Sequence, residues 1–229
     1  MEHWTYNLSI LGHGVTINMD TLITMWFSMI ILIVIAFIST RTLKMVPGKM
    51  QLCAEGIIKY FNNIAKASMG NDNAQKHIAI ILTLFMFILT ANLVGQLPLK
   101  IIHLTTGELA SPNNDINMTA AMAIVVSIYY IFFGIQKNGF RFFFKGFSID
   151  GIIITLVDML ELFVRPFSLA LRLFANILAG ELLVATFISL CAIVIPLPFM
   201  LFELFVALIQ ALVFTLLSTT YISMAVQDE

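Results

Sequence analysis

Long runs of apolar residues constrain the fold of this 229-residue chain more than any other feature. Residues 22–38, 78–97 and 118–135 are each long enough to cross the hydrocarbon core of a bilayer, which is ~30 Å thick. Two longer apolar stretches follow, at 148–190 and 201–226. Of all residues, 60% are hydrophobic and only 11% are charged, whereas a soluble domain is about half apolar and about a quarter charged. We therefore predict an all-α membrane protein with about five membrane-embedded helices.

Charge in the connecting segments predicts the orientation of these helices. Three basic residues follow the first apolar run and three follow the third: Arg41, Lys44, Lys49, Lys137, Arg141 and Lys145. The loop after the second run is nearly neutral. Because basic loops stay in the cytoplasm, we expect the N-terminus outside and the C-terminus inside. The first residues lack the features of a signal peptide, and the net charge of −1 argues against a nucleic-acid partner. A multi-pass protein of the bacterial inner membrane is the resulting prediction.

Polar and turn-forming segments divide the single membrane domain, residues 1–229. One segment mixes apolar residues with lysines and asparagines, and is typical of an amphipathic helix at the membrane interface. The stretch 148–190 would be about 64 Å long as a helix, so it either breaks near Pro166 or is strongly tilted. "IPLP" at 195–198 predicts a turn. The predicted parts are an outer N-terminal segment (1–18), a first transmembrane helix (19–40), the amphipathic helix (50–69), a transmembrane hairpin (77–136) and a last, longer hairpin (148–226).

The sequence contains no pattern for a cofactor or a metal. Cys53 and Cys191 lie far apart, in no ligand spacing, and two cysteines define no disulfide framework. A phosphate-binding loop and a catalytic constellation are also missing from the sequence. We expect no bound cofactor, no metal site and no enzymatic activity of the chain by itself.

A stripe of polar residues runs along the apolar stretch 148–190. On a helix of about 100° per residue, six of them fall within about 80° of arc: Asp158, Glu161, Arg165, Ser168, Arg172 and Asn176. Glu181 points about 180° away from Arg172. On the last helix, Glu203, Gln210 and Tyr221 lie within about 20° of one line, with Ser218 to the side.

Arg172 is the residue that most directly indicates a function. Its own face carries no acid within one turn, and a charge at mid-membrane costs at least ~2.5–3.5 kcal/mol. Its counter-ion must therefore come from another helix or another protein. For Asp158, Glu161 and Arg165, a structural ion pair that holds the helices together is an equal alternative.

Several motifs resemble one family. "RPFSLALRLFANILAGELL" at 165–183 closely resembles the signature of subunit a of the rotary F-type ATP synthase, and 203–225 resembles its last helix. "ANLVGQLP" at 91–98 and "NDINMTAAMAI" at 114–124 are similar to the segments that flank its outer loop. The resemblance covers nearly the whole chain. It implies two long, steeply tilted helices, at 148–190 and 198–226, that form a hairpin against a ring of c subunits.

The resemblance also implies roles for residues. Arg172 would be the indispensable arginine that faces the c-ring carboxylates, and ion translocation would further involve Asn176, Glu181, Glu203 and Gln210. Glu203 stands where some members carry histidine. Supporting or channel positions would be Asp158, Glu161, Arg165, Ser168, Ser218 and Tyr221. The partners implied are the c-ring, the subunit b peripheral stalk, the rest of the F1Fo complex and membrane lipid.

The mechanism expected from this resemblance is ion flow coupled to rotation. Two offset half-channels would carry H⁺ or Na⁺ to and from the ring carboxylates, and Arg172 would prevent a direct leak between them. The sequence leaves the choice of ion open. The alternative is a secondary transporter with an arginine-centred substrate site, which predicts an internal repeat that the two halves do not show. A purely structural scaffold would need a partner for Arg172 within the chain.

Overall fold

Six long helices dominate the computed structural model, which describes residues 5–10, 13–41, 44, 47–96, 112–139, 149–190 and 196–226. Five of them are long and apolar enough to cross a membrane, and α2 is not among these five. The prediction of an all-α membrane protein with about five embedded helices is thereby confirmed. The helices are α1 (Met19–Arg41), α2 (Lys49–Met69), α3 (Asn71–Gln96), α4 (Ile116–Asn138), α5 (Ile149–Leu190) and α6 (Pro196–Val226).

A short β-hairpin precedes α1, where no strand was predicted. Strand β1 (Thr5–Ile10) pairs antiparallel with β2 (His13–Asn18), and Leu8 faces Val15 in the register. The apolar residues of these strands alternate with polar ones, which is the period of a half-buried strand. Asn18 Nδ2 donates a hydrogen bond to Asp115 Oδ2 at 2.6 Å, which joins the end of the hairpin to the residue before α4.

Helix α5 is continuous over 42 residues, with Pro166 inside it. The alternative of a break near Pro166 is therefore wrong. Proline removes one backbone hydrogen bond, but apolar helix-forming residues continue on both sides, and a helix in lipid tolerates proline when its neighbours compensate. The predicted turn at 195–198 is wrong from Pro196 onward, because α6 begins there. Proline is accepted in the first turn of a helix, where its missing N–H has no partner to lose.

The contacts divide the chain into two compact units. Unit 1 contains Met1–Leu43, Met86–Met118 and Phe174–Ala211, and unit 2 contains Lys44–Phe85, Thr119–Leu173 and Leu212–Glu229. Each of α3, α4, α5 and α6 contributes residues to both units.

Inside unit 2, α2 is held against two other helices. The ring of Phe61, which is 1% exposed, lies 4.6 Å from that of Phe85 on α3, measured between centroids. Ser223 Oγ on α6 donates to the backbone oxygen of Ser68 at 2.6 Å. The α2 residues that face inward, Phe61, Ala65 and Met69, recur every fourth position, which is the period of an amphipathic helix.

Candidate functional site

The continuity of α5 preserves the helical spacing of the polar stripe between positions 158 and 176 and the opposite direction of position 181. Ser168 and Asn176 are half-buried, and Arg172 is exposed. The side chains of Asp158 and Glu181 lie outside the described residues, so the positions predicted for them stay predictions.

Arg172 is an exposed cation on the polar stripe of α5, in unit 2. The neighbouring Leu169 and Leu173 are buried, whereas Phe163 and Phe167, about 180° and about 140° around the helix from Arg172, are 74% and 66% exposed. Within the described part of the chain, the Arg172 side chain takes part in no ion pair and no hydrogen bond. The exposed phenylalanine face is typical of a contact with lipid or another protein. Because Arg172 is exposed and has no partner among the described residues, a counter-ion outside the chain is compatible with the position of its guanidinium.

Arg165, two turns before Arg172, has a different environment. Its Nη2 forms an ion pair with Glu161 Oε2, one turn earlier on α5. Its guanidinium carbon also lies 5.0 Å from the centre of the Tyr221 ring on α6, within the range of a cation–π interaction. The structure therefore brings together three of the predicted supporting residues, Glu161, Arg165 and Tyr221. The ion pair within the chain that the sequence offered for Arg165 is present, with Glu161 as the partner.

Ser218 has a local role in unit 2. Its side chain is fully buried, and its Oγ donates to the backbone oxygen of Phe214 at 2.8 Å. This hydrogen bond to the preceding turn satisfies the hydroxyl inside α6 itself. The hydrogen bond of the Ser218 hydroxyl within α6 is a structural role, and this role does not require Ser218 to line a channel.

Glu203, at the start of the α6 stripe, lies against a glycine of α5 in unit 1. A Cβ atom built on Gly180 would come within 2.7 Å of Glu203 Oε1 and 3.1 Å of Cδ. The backbone oxygen of Glu203 accepts a hydrogen bond from Gln96 Nε2 on α3 at 2.8 Å. Because Gly180 has no side chain, the Glu203 carboxylate can occupy this space. Gly180 directly precedes Glu181 in the sequence.

Buried amides form a second polar group in unit 1. Asn113 Nδ2 donates to Asn92 Oδ1 at 2.6 Å, and Asn92 Nδ2 donates to the backbone oxygen of Ala207 at 3.2 Å. Gln210, one turn after Ala207, is only 6% exposed, and its Nε2 has no hydrogen-bond partner among the described residues. A buried polar atom without a partner costs about 1–3 kcal/mol. A buried N–H donor of this kind is suited to bind a water molecule.

Sequence reasoning did not identify Asn92, Gln96, Asn113 and Gly180 as site residues. The available signals were amide side chains inside or beside an apolar span, and a glycine in the interior of a long helix. An amide inside a membrane span needs a partner, and a helical glycine often permits close approach of a neighbour. These signals indicate the type of contact but not which helix supplies it.

Unit 2 also contains a cavity of about 350 Å³ between α2, α3 and α6. None of the residues that line it is charged, so it offers no group for an anionic substrate. The lining residues are Leu52, Cys53, Gly56, Ile57, Tyr60, Phe61, Phe85 and Leu212.

Comparisons with known proteins agree with one another. The family model described as "ATP synthase A chain" matches residues 22–223. The chain is 42% identical to "ATP synthase subunit a" of Gloeobacter violaceus, over 99% of this chain and 90% of that protein. It is 36% identical to "ATP synthase subunit a, chloroplastic" of Stigeoclonium helveticum, over 99% of this chain and 91% of that protein.

Proposed function

This chain belongs to the ATP synthase A chain family, and on that premise we propose that it is the stator subunit that carries H⁺ or Na⁺ to and from the carboxylates of a c-ring. The observation that carries the proposal is Arg172, an exposed guanidinium on the long and largely apolar helix α5 with no partner among the described residues. A charge at that place is too costly to leave without a function. The transporter alternative has no observation in its favour.

The proposal includes the surroundings of the chain. It is a multi-pass membrane protein and a membrane subunit of an ATP synthase, whose other subunits are its partners. The c-ring and the subunit b stalk are the direct neighbours we propose. The basic segments after α1 and α4 support an N-terminus outside and a C-terminus in the cytoplasm of a bacterial inner membrane. The nucleotide chemistry belongs to other subunits.

Arg172 acts on the ring by electrostatics. A nearby guanidinium stabilises the ionised form of a carboxylate, so a ring carboxylate that arrives there releases its ion. At 4 Å and an effective dielectric constant of ~20, the attraction is ~4 kcal/mol. That is close to the energy available from one or two charges crossing an energised membrane, ~2.3 kcal/mol per 100 mV. Water at the contact keeps the attraction weak enough for the ring to move on.

Glu203 and Glu181 line one of two offset half-channels in this proposal, the one that opens outward. The contact of Glu203 with Gly180 and the buried amide of Gln210 support a polar path in unit 1. Asn176 follows Arg172 by one helical turn on α5. An ion that enters by this path neutralises a ring carboxylate, which then rotates into lipid.

The test uses the complete synthase in membrane vesicles, with ATP-driven uptake followed separately for H⁺ and Na⁺. Arg172→Ala is expected to abolish uptake while the complex still assembles. Glu181→Gln is expected to slow uptake more than Arg165→Gln does. Glu55→Gln, on the exposed side of α2, is the matched control and is expected to pump normally. Normal uptake by Arg172→Ala refutes the proposal, and the reverse order of the other two variants refutes the channel role of Glu181.

A further inference from the structure

Two arginines lie on the same stripe of α5. Arg165 and Arg172 are seven residues apart, which places them within about 20° of each other on a continuous helix. If both presented a free charge to a moving carboxylate, the carboxylate would meet two attractive sites in succession. Only one site of ion release per passage is useful, because the ion must leave at the mouth of one half-channel.

The two arginines have different surroundings in the structure. The side chain of Arg165 is 20% exposed, is paired with Glu161 and lies over the Tyr221 ring. Arg172 is exposed and has no such partner in the described residues. An ion pair is neutral as a whole, so its field falls off with distance faster than that of a single charge. The ring of Tyr221 adds a second attraction that draws the guanidinium towards α6.

We propose that Glu161 and Tyr221 are positioning residues that retain and neutralise Arg165, so that Arg172 alone presents its charge to the rotor. This inference rests on the proposed function, because it requires a carboxylate-bearing ring that moves past α5. Glu161 therefore serves transport without binding the ion. Its effect acts entirely through Arg165, which makes it separable from a channel role by experiment.

A double-variant cycle in the complete synthase tests the proposal. Glu161→Gln removes the charge of the partner and frees Arg165. We expect about a tenfold loss of ATP-driven ion uptake, the factor that ~1.4 kcal/mol on the rotational barrier produces. The double variant Glu161→Gln with Arg165→Gln is expected to recover to within about twofold of the wild type, since no second cation remains. A residue that merely lined a channel would not be rescued by removing an arginine.

The Tyr221 contact gives an independent measurement. Tyr221→Phe keeps the aromatic ring and is expected to pump normally, whereas Tyr221→Leu is expected to slow uptake and to be rescued by Arg165→Gln. If Glu161→Gln does not assemble, this second cycle decides the question. Arg41→Gln is the matched control, because Arg41 also lies over an aromatic ring, that of Phe37 at 5.4 Å, but belongs to α1 and not to α5.

The outcomes separate this inference from the proposed function. Loss in Glu161→Gln with rescue in the double variant supports it. Normal uptake by Glu161→Gln, or a double variant as slow as the single one, overturns it. In both of these cases an inactive Arg172→Ala leaves the proposed function intact, and an active Arg172→Ala removes both.

Discussion

Gly180 offers the sharpest test of how closely the two elements of the proposed half-channel must fit. Gly180→Ala would place a methyl group 2.7 Å from Glu203 Oε1, whereas ordinary contact begins at 3.4 Å. The carboxylate must therefore retreat by 3.4 − 2.7 = 0.7 Å or rotate away. The Glu203 side chain is flexible, so the helices need not separate. Alanine also favours the helix over glycine by up to about 1 kcal/mol.

Gly180→Ala is expected to stabilise the helix and to impair transport, and this combination makes the prediction specific. The complex is expected to assemble and to withstand heat at least as well as the wild type. Ion uptake is expected to fall on the order of tenfold, since misplacing a functional group by ~1 Å costs up to ~100-fold in rate. The assays are ATP-driven uptake in vesicles and the temperature at which the solubilised complex dissociates.

Gly56→Ala is the matched control for this substitution. Gly56 is also helical, and a Cβ atom there would meet nothing within 4 Å, so uptake is expected to stay normal. Glu203→Asp withdraws the carboxylate by one methylene. Combined with Gly180→Ala it is expected to lose less uptake than the product of the two single losses. Wild-type uptake by Gly180→Ala at normal assembly would refute the argument that the position of Glu203 matters.

Two further predictions concern the stability of the separate units. Asp115 Oδ1 accepts the backbone N–H of Asn117 at 2.9 Å and so caps α4, while Asp115 Oδ2 accepts a hydrogen bond from Asn18. Asp115→Ala is expected to lower the free energy of unfolding by about 1 kcal/mol, measured as a lower dissociation temperature of the complex. Asp115→Asn is expected to lower it less. In unit 2, His77 Nδ1 lies 2.9 Å from the Tyr129 hydroxyl; Tyr129→Phe is expected to cost about 1 kcal/mol by the same measurement. An unchanged dissociation temperature would contradict either one.

Most of the helical architecture was predictable from the sequence, because a bilayer restricts the secondary structure that a membrane-spanning segment can adopt. A chain segment that crosses a bilayer must satisfy its own backbone, so a long apolar run becomes a helix. The same regularity made the stripe through Glu161, Arg165 and Arg172 readable, since 3.6 residues per turn fixes their relative directions. Helical periodicity alone therefore shows that no acid lies within one turn of Arg172 on its own face.

Contacts between helices were not predictable in the same way. That Tyr221 would cover Arg165, or that Gly180 would receive Glu203, depends on how α5 and α6 pack, and helical periodicity contains no such information. Pro166 shows a related limit, because local propensity disfavours proline inside a helix while the apolar sequence on both sides keeps α5 continuous. The hairpin at Thr5–Ile10 and His13–Asn18 was missed although its alternation is present.

The bond between Asn18 and Asp115 has a consequence for how the protein is made. Its partners are 97 positions apart, and ribosomes add about 5–20 residues per second, so Asn18 precedes Asp115 by roughly 5–20 s. During that interval α1 exists without the bond that later joins Asn18, the residue before the helix, to Asp115. The buried polar side chains of α1, Asp20, Thr24 and Ser28, are synthesised before Asp115 as well. The bond between Asn18 and Asp115 can form only after Asp115 has been synthesised, which makes it a late step of biogenesis.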